Sequence, residues 1–289
     1  MRRIPRAWLL ALAALLAATA LAGAYVWKRS SGGPPRQVFP PEPLTTDPWG
    51  RLLAYPGKQA VACPVQDEST VVLIVAGQSN AANSGALRHT SRHGSRVVNF
   101  LDGRCFVAAS PLLGADGRSG EYWTLLADRL IDEGKARQVV LAPFSVNGTR
   151  IERWQPGGEL HAPFLAMLGQ LRAVYRPSQV LWHQGESDFL LGTTQTTYAD
   201  ALKALVLGVR SKGIEAPFHV AVASRCLLSA WRADNPVAQA QRAAPDAALR
   251  ILPGPDADAV WADAHRFDDC HLSAAGQAEM AERWLGVLR

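Results

Sequence analysis

The chain has 289 residues, 48% of them hydrophobic and 19% charged, which is enough to bury one substantial core and excludes a wholly disordered protein. The formal net charge is +5, but Arg2, Arg3 and Arg6 precede an apolar run, and removing these three charges leaves +2. So small an excess excludes a nucleic-acid-binding surface. We therefore expect one domain of roughly 220 to 230 residues behind an N-terminal extension.

The first predicted element is a membrane-targeting segment. The apolar run from Trp8 to Trp27 is followed by Lys28-Arg29, which fits a signal peptide or an N-terminal membrane anchor over residues 1–29. Ala22-Gly23-Ala24 resembles a cleavage site, whereas the uninterrupted length would span a bilayer. Both outcomes export the body of the chain, to a periplasmic or extracellular location, and the second outcome leaves it anchored to the membrane.

Residues 30–64 are rich in proline and glycine and predict a linker. Gly32-Gly33-Pro34-Pro35 and Pro40-Pro41-Glu42-Pro43 fit an extended segment or a strap over the domain surface. The predicted catalytic domain is then residues 65–289.

In that domain, short apolar runs alternate with helical patterns. The runs are rich in β-branched or aromatic residues and do not alternate with polar ones, as expected of parallel strands covered on both faces. They are Val71–Ala76, Val97–Phe100, Val139–Phe144, Gln179–Trp182 and Phe218–Ala223. Apolar residues recur at helical spacing around Trp123–Leu130, Phe164–Leu171, Tyr198–Val209 and Met280–Leu288. This order predicts an α/β fold, a three-layer α/β/α sandwich with a mostly parallel central sheet that binds ligands at the carboxyl ends of its strands.

The cysteine count agrees with export. Cys63, Cys105, Cys226 and Cys270 are even in number and have neither a Cys-x-x-Cys arrangement nor metal-ligand spacing. Of the three possible connectivities we predict Cys63 with Cys105 and Cys226 with Cys270, and four scattered buried thiols are the alternative. The second bridge would tie the loop after a predicted strand to a segment that carries a candidate catalytic histidine.

Ser79 and His271 are the candidate nucleophile and base. Ser79 directly follows the end of a predicted buried strand, and a serine hydroxyl becomes a nucleophile when a base takes its proton. His271 can act as that base if an acceptor on its other ring nitrogen fixes the tautomer. Asp268 lies three positions earlier and can curl back to do so, and the adjacent Asp269 is the second choice.

Two polar segments also follow predicted strands, residues 145–154 and 182–188. Ester hydrolysis passes through an oxyanion, which needs hydrogen-bond donors. The backbone N–H groups of Ser79 and Gly148 and the side-chain amide of Gln184 are the candidate donors, and Gly148 lets the backbone approach closely.

Four motifs in this order resemble the SGNH hydrolases, and within them the sialate O-acetylesterase-like and acetylxylan-esterase-like branch. They are Gly77-Gln-Ser-Asn80, Gly148-Thr-x-Ile151-Glu-x-Trp154, Gln184-Gly-Glu-Ser-Asp188 and Asp268-x-x-His271. Most of the wider superfamily has Gly-Asp-Ser in the first motif and asparagine in the third, and Gln78 and Gln184 stand there as the acetylesterase branch implies. The resemblance implies a flavodoxin-like SGNH fold over roughly residues 70–289.

The resemblance also implies roles for the site residues. Ser79 is the nucleophile, His271 the base and Asp268 its orienting partner, and Ser79, Gly148 and Gln184 supply the oxyanion hole. Supporting residues that hold these loops would be Gln78, Asn80, Glu186 and Asp188. The competing α/β-hydrolase fold needs Gly-x-Ser-x-Gly at its nucleophile, and Ala81 occupies the last position here.

The implied function is a serine esterase that removes O-acetyl groups from a carbohydrate through an acetyl-serine intermediate, without a cofactor or a metal. One alternative is an O-acetyltransferase that acts on an envelope or exported polysaccharide with the same triad. The other is a catalytically silent carbohydrate-binding protein. The expected partners are an acetylated saccharide and, if the N-terminal segment is uncleaved, the membrane; no nucleic acid is expected.

Three tryptophans and two histidines are weaker candidates. Trp154, Trp231 and Trp261 have the right chemistry to stack on sugar rings, although core packing is the commoner role. His89 and His93 have the spacing of a metal-ligand pair but lack an evident third ligand, so a solvated helix face is the expected role.

Overall fold

The computed structural model describes residues 43–227, 232 and 235–288. The predicted targeting segment, residues 1–29, and residues 30–42 of the predicted linker lie outside these ranges. Within the described ranges, no helix is long and apolar enough to cross a membrane.

The strands are β1 (Thr45–Thr46), β2 (Leu52–Ala54), β3 (Ala60–Val61), β4 (Thr70–Gly77), β5 (Val97–Leu101), β6 (Arg104–Val107), β7 (Gln138–Ser145), β8 (Gln179–His183), β9 (Phe218–Val222) and β10 (Ile251–Asp256). The α-helices are α1 (Trp123–Asp132), α2 (His161–Arg172), α3 (Glu186–Leu190), α4 (Gln195–Ser211), α5 (Pro236–Ala243) and α6 (Ala274–Val287).

One eight-stranded sheet has the order β10-β9-β8-β4-β7-β5-β6-β3, and β1 pairs with β2 outside it. From β10 to β5 all pairings are parallel. The two remaining pairs, β5 with β6 and β6 with β3, are antiparallel. The predicted mostly parallel sheet is confirmed, and each of the five predicted strands forms within one residue of its predicted ends.

The sheet is buried on both faces, and its central strand is apolar from Val71 to Ala76. Val72 and Ile74 of β4 pack into the core on one face, with residues of α2, α4 and α5. Leu73 and Val75 pack into the core on the other face, with residues of α1 and α6. Burial of both faces explains why the run does not alternate with polar residues. The predicted three-layer α/β/α sandwich is confirmed.

Part of the predicted linker belongs to the domain. β3 adds to the edge of the main sheet, and Leu52 of β2 is 1% exposed. The backbone N–H of Leu52 donates to the carbonyl of Ala115 at 3.0 Å. A boundary at residue 65 is therefore too late. Proline-rich composition predicts an extended backbone, but extended backbone can also pair with a sheet edge.

β10 was not among the predicted strands. Its sequence contains Pro253, Gly254 and Pro255, which are all unfavourable in a strand interior. β10 lies at the outer edge of the sheet and pairs with β9 alone, so prolines are tolerated where no second strand needs their N–H groups.

Both predicted disulfides are confirmed. Cys63 is bonded to Cys105 and Cys226 to Cys270. The first joins the loop after β3 to β6, and the second joins the loop after β9 to the segment that precedes α6. The second bridge therefore fixes the residue next to His271.

Candidate active site

Ser79 lies where the central strand ends. Gly77, the last residue of β4, has φ +143°, and a Cβ there would come within 2.0 Å of the carbonyl oxygen of His183. Only glycine therefore allows the ends of β4 and β8 to lie this close. The Gln78 N–H then donates to that carbonyl at 3.1 Å, and a short 3-10 helix begins at Ser79.

His271 and Asp268 lie on a hairpin that precedes α6. The hairpin is closed by an antiparallel bridge between Arg266 and Leu272. Asp268 Oδ2 lies 2.7 Å from His271 Nδ1, and Asp268 Oδ1 accepts the His271 N–H at 2.6 Å. Asp269, the second choice from the sequence, makes no contact with the imidazole within the described part of the chain.

The environment of Asp268 keeps it ionised. Partial burial acts to raise the pKa of Asp268, but hydrogen bonds from the His271 side chain and backbone and from the Cys270 N–H outweigh it. The pKa of Asp268 therefore lies below its ordinary value, and an ionised carboxylate faces the imidazole.

A pocket of about 300 Å³ brings together residues that are far apart in the sequence, from the loop after β4 to the hairpin before α6. It is lined by Gln78, Ser79, Ser84, Asn147, Gly148, Glu186, Ser187, Leu190, Cys226, Cys270 and His271. Ser79 and His271 share it, yet among the described residues no hydrogen bond joins their side chains. Such bonds commonly tighten only in the substrate complex.

Two candidate oxyanion donors face this pocket. Gly148 lies in the turn after β7 with φ +64°, which favours glycine. The backbone N–H groups of Ser79 and Gly148 donate to no acceptor in the described ranges, and both residues line the pocket. Each N–H is therefore available to an oxygen in the pocket.

Gln184, the third predicted donor, is placed differently. Its side chain is fully buried and is absent from the pocket lining. Its Nε2 donates to the carbonyl of Thr149 at 2.8 Å and to Asp188 Oδ2 at 2.5 Å, and its Oε1 accepts from the Tyr198 hydroxyl at 3.0 Å. The amide hydrogens thus hold the loop that follows Gly148 instead of pointing at the pocket.

Gln78 and Asp188 connect the loops around the pocket. Gln78 Oε1 accepts hydrogen bonds from the backbone N–H groups of Gly185 at 3.3 Å and Ser187 at 3.2 Å. Asp188 Oδ2 accepts the N–H of Ile151 at 2.8 Å. Burial raises the pKa of Asp188, and the hydrogen bonds that it accepts offset part of that rise.

Asn80 and Glu186 connect the loop of Ser79 to the hairpin of His271. Asn80 Nδ2 donates to Glu186 Oε1 at 2.8 Å and to the Cys270 carbonyl at 3.3 Å. Burial acts to raise the pKa of Glu186, but His183, whose Nε2 lies 3.5 Å away, and the Asn80 amide outweigh it. The pKa of Glu186 is therefore below its ordinary value despite full burial.

Arg266 was missed by sequence reasoning. Its side chain is buried and donates to the carbonyls of Val260, Ala257 and Cys270. The Cys270 carbonyl thus has two donors, Asn80 and Arg266, directly beside His271. A lone arginine outside any motif gives no signal of this role in the sequence.

The weaker candidates that the structure describes fall outside the pocket lining. Trp154 is fully buried in the core, Arg225 covers the ring of Trp261 at 4.0 Å, and Trp231 lies outside the described residues. His93 contacts Asp132 at 2.8 Å in a loop, not on a helix. Among the described residues no group of three or more ligating side chains is placed to hold a metal ion.

The sequence of the domain matches a known family. The sequence profile of the family described as carbohydrate esterase, sialic acid-specific acetylesterase, matches residues 69–287, which include all four motifs. The chain belongs to this family. It is therefore a carbohydrate O-acetylesterase, and the SGNH resemblance is confirmed.

Solved structures share the fold of this acetylesterase. A protein from Arabidopsis thaliana is 18% identical with a TM-score of 0.58, covering 76% of this chain and 97% of that one. NanS is 15% identical with a TM-score of 0.53 over 76% and 97%. A carbohydrate acetylesterase from Xanthomonas citri is 15% identical with a TM-score of 0.50 over 74% and 54%. No significant match was found among curated protein sequences. At these identities the structural likeness shows the fold alone.

Proposed function

We propose that the acetylesterase uses Ser79 as nucleophile, His271 as general base and Asp268 as the partner that orients the imidazole, and that it removes O-acetyl groups from a carbohydrate through an acetyl-serine intermediate. The observation that carries the proposal is the 2.7 Å contact of Asp268 with His271 Nδ1, on a hairpin whose histidine lines the same pocket as Ser79. This contact leaves Nε2 of the imidazole as the atom that takes a proton.

The reaction takes two steps. In the first, Ser79 Oγ attacks the acetyl carbonyl carbon while His271 Nε2 takes the hydroxyl proton, and the sugar oxygen leaves with that proton. In the second, water attacks the acetyl-serine, His271 takes one water proton and returns it to Ser79 Oγ, and acetate leaves. The ionised Asp268 stabilises the imidazolium in both steps.

The oxyanion of each step is stabilised by the N–H groups of Ser79 and Gly148. Each such donor typically contributes about 3 kcal/mol to transition-state stabilisation. Gln184 positions the Gly148 N–H, because its amide donates to the carbonyl of Thr149, the residue after Gly148. Gln78, Asn80, Glu186 and Asp188 hold the loops in register.

The substrate class and the location are also proposals. The family description names sialic acid-specific acetylesterases, so an O-acetylated saccharide is the substrate that we propose. Two disulfides favour export, since disulfides persist in oxidising compartments. Residues 1–29 would supply either the cleaved signal or the anchor.

Acetate release by the purified full chain tests the proposal. We expect release from an acetylated saccharide, and we expect Ser79→Ala to lower turnover by at least roughly 1,000-fold. Ser211→Ala, a serine at the end of α4 remote from the pocket, is the matched control and should retain full activity.

The outcomes separate the alternatives. Acetyl groups that appear on an added acceptor sugar would favour a transferase, and saccharide binding without turnover would favour a silent binding protein. Unchanged turnover in Ser79→Ala would reject the assignment of the nucleophile.

A further inference from the structure

An exposed aromatic ring lies beside His271. Phe267 is 54% exposed although it is a large apolar residue. Its ring centroid lies 6.1 Å from that of His271, with the planes 30° apart. The Phe267 N–H donates to the His271 carbonyl at 3.1 Å, so the hairpin holds both rings on the same side. The ring of Phe267 is therefore exposed to solvent next to His271.

Two further exposed apolar side chains belong to segments that contact the pocket or the hairpin. Leu190, at the end of α3, is 39% exposed and lines the pocket. Leu227 is 47% exposed and follows Cys226, and its N–H donates to the carbonyl of Asp269 at 2.9 Å. Its φ of +61° is uncommon for a residue with a side chain. One apolar residue at the pocket and two at the hairpin are thus exposed, and clustered exposed apolar surface marks binding sites.

The chemistry of the ester fixes what lies against Phe267. The acetyl carbonyl must lie at Ser79 Oγ and at the N–H groups of Ser79 and Gly148. The oxygen that leaves must receive its proton from His271 Nε2. The sugar ring bonded to that oxygen therefore lies close to the imidazole, whose ring centroid is 6.1 Å from that of Phe267.

We propose that Phe267, together with the exposed Leu227 and Leu190, forms a sugar-binding platform and that Phe267 stacks on the C–H face of the pyranose ring that carries the acetyl group. A pyranose presents an apolar face of C–H groups, and a flat aromatic ring covers that face with little loss of side-chain freedom. This inference rests on the proposed function, because it takes the sugar oxygen as the leaving group. It assigns the sugar site to Phe267 in place of the tryptophans suggested by the sequence.

Two acetyl esters that differ in their ring test the platform. Glucose penta-acetate carries pyranose acetyl esters, whereas glycerol triacetate offers the same acetyl group without a ring. For the full chain, we expect Phe267→Ala to lower kcat/KM for glucose penta-acetate about tenfold, mainly through KM, and to leave glycerol triacetate within about twofold. Phe267→Trp should restore the activity on the sugar ester. Leu252→Ala, an exposed leucine in β10, is the matched control and should change neither value.

Two results would overturn the platform. An equal loss on both esters in Phe267→Ala would show that the ring only supports His271, and the proposed esterase function would stand. Hydrolysis of glycerol triacetate alone by the unmodified chain would reject the carbohydrate substrate and the platform with it.

Discussion

At the scale of single residues, two neighbouring carboxylates have different surroundings. Asp268 accepts hydrogen bonds from the side chain and backbone of His271, whereas Asp269 adopts φ +64° and makes none to the imidazole. The turn of the hairpin points them in different directions. Sequence order alone ranked Asp268 first because an i, i+3 spacing lets a side chain curl back, and the structure has this contact.

Asn substitutions at these two positions separate their roles. Asp268→Asn should lower kcat roughly 100- to 10,000-fold, because the imidazole loses the acceptor that fixes its tautomer. Asp269→Asn is the matched control, since asparagine tolerates the same backbone conformation, and it should stay within about twofold. Steady-state kinetics on one acetyl ester checks both, and a larger loss in Asp269→Asn would reverse the assignment.

For Asp268→Asn, the loss in the free energy of unfolding should depend on pH. Because the folded pKa of Asp268 is lowered, its contribution to the free energy of unfolding is present above the unfolded value of about 4 and is lost as the pH falls through the folded value. Urea unfolding should therefore show Asp268→Asn less stable than the unmodified chain at pH 7. The difference should shrink as the pH falls below about 4.

The Gln184→Ala variant tests whether the buried amide donates directly to the oxyanion or only positions the loop of Gly148. Gln184→Ala leaves the buried Thr149 carbonyl without its donor and removes one hydrogen bond each from Asp188 and the Tyr198 hydroxyl. We expect the free energy of unfolding to fall by about 1–3 kcal/mol and turnover to fall with it, roughly 10- to 1,000-fold. Chemical unfolding and kcat measured on the same preparation check this. Lost turnover at undiminished stability would instead assign direct donation to the oxyanion.

At the scale of elements, the two disulfides form a matched pair. They close loops of nearly equal sequence separation, 42 and 44 residues, but only Cys226–Cys270 contacts the hairpin of His271. Both lining cysteines of the pocket belong to it. The two bridges therefore differ in their distance from the pocket but hardly in the length of the loop that they close.

Removing each bridge in turn should separate stability from catalysis. Replacing either cysteine pair with alanine should lower the free energy of unfolding by about 4 kcal/mol in the chain-entropy description. The Cys226/Cys270 variant should also lower kcat roughly tenfold or more under folding conditions, because small displacements of a base are costly. Equal kcat in the two variants would show that the Asn80 and Arg266 contacts to Cys270 suffice to place His271.

At the scale of the whole molecule, sequence patterns predicted the layers better than the edges. Buried parallel strands such as β4 have a distinctive composition, and so they were predicted within one residue. Of the strands that were missed, β10 and β3 lie at the edges of the main sheet, where a strand needs only one partner and tolerates proline. Their pairing depends on the neighbour that the fold supplies, which no local window contains.

Part of the candidate site was also predictable from the sequence, and part depended on contacts that only the fold creates. Motif spacing predicted that Ser79, Gly148 and His271 would meet, because each follows a strand or precedes a helix at the same edge of the sheet. The direction of the Gln184 amide depends on Thr149 and Asp188, which only the folded loops bring together. Arg266 and Phe267 belong to no motif, so their positions come from the hairpin alone.

The pocket joins the loop after β4 to a hairpin that follows β10, and the tie between Asn80 and Cys270 spans 190 positions of sequence. A ribosome therefore completes the serine loop long before it makes the histidine. In the proposed mechanism, Ser79 gains its base only when this hairpin reaches the loop after β4. Recovery of activity after refolding thus reports the completion of the fold and not its first steps.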